Sequence, residues 1–205
     1  MSVSGLWSGE TALILASASA IRRALIDSVG IPLEVHPATI NERGLEHAYG
    51  LHKPRDIAAE LSAAKALNIS HAFPGRYVLG ADQTLAIGTA QLHKPAGRRE
   101  AASQLEQLSG RMHQLHSGLA LAINGHVIWT HVETATLHMR SLSAAFIHDY
   151  LDMAGDAVLK SVGAYQIEGL GMHLFEKIEG DHTTIMGLPL IPLLRQFRNM
   201  GLVME

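Results

Sequence analysis

Cysteine is absent from the 205 residues. That excludes disulfides, thiolate nucleophiles and cysteine metal sites, and it fits a reducing compartment, so a cytoplasmic protein is expected. Aromatic residues are scarce, at 5%. No apolar run approaches the roughly 20 residues of a membrane-spanning helix, so no membrane partner is expected. Charge is also sparse: 17% of residues are charged and the formal net charge is -3. This balance offers no general attraction to a nucleic acid polymer, and a small anionic ligand would need a local group of cations. The early stretch ALILASASA ends in small residues like an export signal, but Glu10 precedes it without any Lys or Arg, and its apolar part is short. Internal repeats, low-complexity tracts and linkers are missing too, so residues 1–205 read as one domain.

What is there is an alternation of strand-like and helix-like patterns. TALILA has strand length, and SAIRRALIDSVGIP places Ile21, Leu25, Ile26 and Val29 on one helical face, with Ser19 as N-cap and Gly30 and Pro32 closing the helix. IPLEVHPATINER reads as a second strand ending in a polar turn that holds Glu42. KPRDIAAELSAAKALNIS is a helix with Ile57, Leu61, Ala64 and Leu67 near one face and Lys65 at the edge of that stripe, where a lysine either snorkels to water or reaches a neighbouring cleft. RYVLGADQTLAIG is a buried strand that carries Asp82 and Gln83 where an α/β sheet presents functional groups, at the carboxyl end. A further helix runs through Ala101, Leu105 and Leu108 to Gly110, and Asn124-Gly125 joins two strands as a hairpin. The hairpin makes the sheet mixed, and its apolar strands could pair across the edge of a homodimer. After a capped helix at SLSAAFIHDYLDMAG come two short extended runs in GAYQIEGLGMHLFEKIEGD, then a closing helix in GLPLIPLLRQFRNMG.

The thirteen histidines do not form a metal motif. His113 and His116 lie three apart in a strand, which turns their rings to opposite faces. No G-x-G-x-x-G or Walker loop sits between a strand and a helix. The remaining candidates are Arg22, Glu42, Lys65, Asp82 and Lys94, each at the end of an expected element. Cations for phosphate charge, carboxylates for Mg²⁺ or Mn²⁺ and one acid to orient a water make the parts of a polyphosphate site. Ser17 and Ser19 stand at a helix entrance, where they either cap the helix or help bind an anion.

LASASAIRR, the Glu42 turn, AELSAAKA, VLGADQT, HKPAG, LSGRMH, GAYQIEGLG, IEGD and GLPL follow one another as in the Maf family of nucleoside triphosphate pyrophosphatases, and the resemblance runs from about residue 13 to residue 200. It implies an α/β fold with an elongated mixed sheet flanked by helices, and two lobes around a nucleotide-binding cleft. It also implies hydrolysis between the α and β phosphates with a divalent metal, Mg²⁺ or Mn²⁺, to clear modified or non-standard nucleotides. By the resemblance, Asp82 is the general base, Arg22, Lys65 and Lys94 bind phosphates, and Glu42 stands with Asp82 on the metal side. Ser17 and Ser19 are the hydroxyls at the helix entrance, and Gln83, Gln166 and Glu168 lie where the base is read. The sequence departs from many members at Ala20 and Ile21. Gln83 with Glu168 resembles the 7-methyl-GTP subgroup more than the enzymes acting on thymidine and uridine triphosphates. The family's link to septum formation supplies the competing expectation, a nucleotide-binding regulator of cell division without significant catalysis.

Overall fold

The computed structural model describes residues 6–48 and 53–204. Its strands are β1 (Leu13–Leu15), β2 (Leu33–Val35), β3 (Val78–Ile87), β4 (Ala90–Leu92), β5 (Met112–Ile123), β6 (His126–Met139) and β7 (Phe175–Glu179). They form one mixed sheet in the order β2-β1-β3-β5-β6-β7, with β4 also paired to β3. β1 runs parallel to both β2 and β3, and the other pairings are antiparallel. Parallel neighbours need a crossover, and helices supply it: α1 (Ala20–Ser28) between β1 and β2, then α2 (Glu42–Ala48) and α3 (Pro54–Ser70) before β3. The remaining helices are α4 (Arg98–Leu108), α5 (Ala144–Ala154), α6 (His182–Ile185) and α7 (Leu190–Asn199). The hairpin is as expected, with Asn124 and Gly125 both left-handed at φ 53° and 74°, the backbone of a tight two-residue turn. Among the described residues no helix is long and apolar enough to cross a membrane.

β3 and β5 are long enough to run through two apolar cores. At one end Leu79, Ala81, Leu119 and Leu121 pack with Leu15, Ile26 and Phe197. At the other, Leu85 and Leu115 pack with Leu105, Leu108, Ile147 and Tyr150. Between them the ladder is polar: Asp82, Gln83 and Thr84 face Gly118, Ser117 and His116 in register. Two lobes therefore meet at a hydrophilic waist, in keeping with the expected architecture.

The same waist is where one edge of β3 lies open. β5 occupies one edge of β3 from Val78 to Ala86, so β1 and β4 must share the other. β1 leaves the ladder at Leu79, and β4 enters it at Leu85. Among the described residues, no strand lies beside residues 80–84 on that edge. The expectation that Asp82 ends its strand is thus corrected: β3 continues to Ile87, and it is the neighbouring β1 that stops.

Two other local expectations change. Glu42 is not in a turn but is the first residue of α2, where a carboxylate is favoured by the free N–H groups of the opening turn. The segment expected as two extended runs contains 3-10 turns at 162–164 and 170–174, and only β7 is extended. On α3, Ile57 and Leu61 are buried as expected, but the packed face continues through Ala58, Ser62 and Ala66, while Ala64 and Leu67 are half-buried.

That small-residue face matters because α3 lies directly on the sheet. A Cβ on Gly80 would stand 2.0 Å from the Ser62 carbonyl oxygen, and one on Gly118 would stand 2.2 Å from that of Ala58. Only glycine fits at these two positions, and the hydroxyl of Thr84 donates to the Pro54 carbonyl at 2.7 Å, fixing the start of the helix. Gly118→Ala is predicted to lift α3 and to destabilise the protein by about 3 kcal/mol, measured as a lower urea midpoint.

Candidate active site

The opening turn forms as its serines dictate. Ser19 caps α1 by accepting from the Arg22 N–H at 3.3 Å, and the buried Ser17 hydroxyl accepts from the Ser19 N–H at 3.3 Å. Arg22 then turns its guanidinium back toward the sheet. Its Nη1 donates to the Ala81 carbonyl at 2.6 Å and to Ser17 Oγ at 3.2 Å, and its Nε donates to the Gly187 carbonyl at 2.9 Å. Ala81 lies on the open stretch of β3, so Arg22 occupies a position a neighbouring strand would otherwise fill. Ile21, expected on the core face of α1, lines a pocket instead.

Successive residues of a strand face opposite sides, and here the alternation separates two sets of groups. Asp82 faces α3. Its Oδ1 accepts from Lys65 Nζ at 2.5 Å, and the same ammonium lies 2.7 Å from Glu42 Oε1. Lys65 has therefore reached the cleft and is almost covered, with 12% of its side chain exposed. Among the described residues no group donates to Asp82 Oδ2. Burial raises the Asp82 pKa, Lys65 and Arg22 oppose that rise by attraction, and Glu42 adds to it by repulsion; the result lies above the ordinary carboxylate value. Burial also presses on Arg22, lowering its pKa against the pull of Asp82 and Glu42, yet a guanidinium keeps its charge under such conditions.

Gln83 faces the other way, toward α6. It lines a pocket with Ile21, Tyr165, Gln166, Ile167, Glu168, Ile185 and Met186. Gln166 is half-buried and Glu168 is exposed at this rim. The pocket wall is stiffened by His113 Nε2, which lies 2.8 Å from the buried Tyr165 hydroxyl. Burial holds the His113 pKa down at about 4, against a backbone hydrogen bond at Arg111 that raises it, and burial pushes the Tyr165 phenol well above its usual range.

The structure thus brings Asp82, Lys65, Glu42 and Arg22 together, and it groups Gln83, Gln166 and Glu168 around one pocket. Lys94 is exposed just beyond β4 and makes no ion pair among the described residues. Since β4 ends with Leu92 opposite Leu85, Lys94 comes two residues later, toward the open stretch of β3. His113 and His116 face opposite sides of β5 and hydrogen-bond Tyr165 and Thr134, with no shared ligand geometry. Among the described residues the only group of three or more potential metal ligands is His148, Asp149 and Asp152, exposed on α5, where Arg98 already pairs with Asp152 at 2.7 Å. Ser117, Thr184 and the Ala81 carbonyl were not anticipated. Each becomes part of the site only through pairing between distant segments, which leaves no local sequence signal.

Residues 12–200 match the profile of the Maf-like protein family. The chain belongs to the Maf family. A nucleoside triphosphate pyrophosphatase of Rhodopseudomonas palustris strain BisB18 is 52% identical over 198 residues, covering 97% of this chain and 98% of that protein. A 7-methyl-GTP pyrophosphatase of Rhizobium meliloti is 48% identical over 194 residues, covering 93% and 97%. Among solved structures, a nucleoside-triphosphatase (dITP/XTP pyrophosphatase) from Mycobacterium abscessus aligns with a TM-score of 0.44 at 14% identity, covering 93% of this chain and 96% of that one.

Two expectations follow from the electrostatics of this Maf-family site. In the metal-free protein, carboxyl NMR titration of Asp82 moves downward in Glu42→Gln, which removes a repelling charge, and upward in Lys65→Met, which removes an attracting one. For His113, the folded pKa of about 4 lies below the unfolded value of 6.5, so its contribution is present above pH 6.5 and lost as pH falls toward 4. Over that window the wild type should lose up to about 3 kcal/mol of unfolding free energy that His113→Gln does not lose.

Proposed function

We propose that this protein is a nucleoside triphosphate pyrophosphatase, one Maf-like unit over residues 1–205, which hydrolyses the bond between the α and β phosphates to give a nucleoside monophosphate and pyrophosphate. The observation that carries the reading is the gathering of a buried acid, Asp82, with Lys65, Glu42 and Arg22 at the open edge of β3. A charge buried this far is costly. A protein that only bound nucleotide would not need a base there, which weighs against the regulator of septum formation.

The phosphates pass along the open edge between the two faces, from the base pocket beside Gln83 to the acid beside Lys65. Lys65, Arg22 and, from the end of β4, Lys94 offset their charge, with Ser17 and Ser19 at the entrance of α1. Asp82 acts as general base through Oδ2: it orients a water for in-line attack at the α phosphorus and accepts its proton as pyrophosphate leaves. Glu42 and Asp82 suit a divalent cation, because both are hard oxygen donors and their oxygens already converge on one cationic nitrogen. When bound, Mg²⁺ or Mn²⁺ would withdraw charge from the triphosphate. For the base, Gln83, Gln166 and Glu168 favour a 7-methyl-GTP-like substrate over a pyrimidine triphosphate, since Glu168 can accept from the N1–H and N2 amino edge of a guanine.

Pyrophosphate release across 7-methyl-GTP, GTP, dTTP, UTP and CTP with Mg²⁺ or Mn²⁺ tests the reading, with the highest kcat/KM expected for 7-methyl-GTP. Asp82→Asn should lower kcat by about 10²- to 10⁴-fold while the thermal midpoint stays near wild type. Because the base acts deprotonated and its pKa is raised, activity should fall with decreasing pH above the ordinary carboxylate range. Full turnover by Asp82→Asn, or no release from any nucleotide, overturns it.

A further inference from the structure

The orientation of the Gln83 carboxamide is decided by its neighbours. Its Nε2 lies 3.0 Å from the Ile185 carbonyl oxygen, 3.2 Å from that of Thr184 and 2.9 Å from Ser117 Oγ. Carbonyls accept and never donate. The Ser117 hydroxyl has one proton, and it is given to the Thr184 carbonyl at 2.7 Å, so toward Gln83 this oxygen can only accept. Three acceptors therefore surround one end of the amide, and the NH₂ group must face them. Ser117 is fully buried, directly opposite Gln83 in the ladder between β3 and β5.

The opposite end, Oε1, is left as an acceptor beside Gly187 and the base pocket. Among the described residues nothing donates to it. The Thr184 and Ile185 carbonyls belong to the last turn of α6; that of Thr184 also accepts from the Gly187 N–H at 3.0 Å, while among the described residues that of Ile185 has no backbone donor. Gln83 and Ser117 satisfy them, and α6 is itself held by Asp181, which accepts from the Thr184 N–H at 2.9 Å.

We propose that Ser117 is a positioning residue for substrate selection: through Thr184 it fixes Gln83 with its carbonyl oxygen toward the base, so that the site favours a base offering an N–H donor there. The proposal rests on the nucleoside triphosphate pyrophosphatase reading, and it deepens that reading by naming the hydrogen-bond sense of the base subsite. A base with an acceptor at that position meets oxygen against oxygen, and a site built on a hydrogen bond rejects such an analogue more strongly than one built on shape.

Two measurements on the full-length protein separate this from its parent reading. In the ligand-free wild type, the Gln83 side-chain NH₂ should be protected from hydrogen exchange; Ser117→Ala should lose that protection, and Ser117→Thr, which keeps the hydroxyl, should retain it. In kinetics, Ser117→Ala should raise KM for GTP by about 5- to 10-fold, the worth of one neutral hydrogen bond, with kcat nearly unchanged. Its preference for GTP over inosine triphosphate, which lacks the N2 amino group and so the N–H that Glu168 leaves for Gln83, should shrink by the same factor, and Ser117→Thr should restore both. An unprotected Gln83 amide in the wild type, or equal losses on both nucleotides in Ser117→Ala, would overturn the assignment. If no nucleotide is hydrolysed while the amide is protected as described, the parent reading fails and the orientation of Gln83 stands.

Discussion

A carboxylate at 7% exposure in the middle of a strand is tolerable only beside a cation, and Lys65 is that cation for Asp82. Removing an ion from water costs several kcal/mol, and close pairing with good geometry is what offsets it. Lys65 reaches Asp82 because α3 lies against the sheet without intervening side chains, over Gly80 and Gly118. Thr84 anchors the first turn of the helix, and the Ala58, Ser62 and Ala66 face keeps it low. Remove the close approach and the acid loses its nearest cation; remove the acid and Lys65 keeps only Glu42, on a largely exposed helix, as its counter-charge.

The pairing also sets the balance of forces on the buried acid. Asp82 is drawn in opposite directions, by burial toward the protonated form and by Lys65 and Arg22 toward the charged one. Glu42 shares Lys65 from the first turn of a helix whose side chains are largely exposed. Two acids on one ammonium form an arrangement in which either carboxylate can exchange partners without leaving the ammonium unpaired.

Asp82 and Gln83 are adjacent in sequence and work on different faces. The strand period of two sends the acid toward α3 and the amide toward α6. Ending β1 at Leu79 and starting β4 at Leu85 leaves open the edge that connects those faces. Arg22 lies at this crossing, bound to the Ala81 carbonyl on one side and to Gly187 on the other. The acid and the amide pocket are thereby joined through a short piece of backbone.

Much of this was legible in the residues alone. The Ser19 cap, the apolar run of β3, the Asn124-Gly125 turn and the helical stripe around Ile57 and Leu61 are local patterns, set by propensity, periodicity and turn chemistry within a few residues. By itself the sequence determined most of the strands and helices, though not α2 or the 3-10 turns at 162–164 and 170–174, and which charged side chains were available for phosphate chemistry. Only the tertiary structure decided that Asp82 lies mid-strand at an open edge, that Lys65 turns inward while Lys94 stays exposed, and that Ser117 faces Gln83. These depend on register and on the close approach of segments tens of residues apart, and no pattern confined to one segment encodes where another segment will stop beside it.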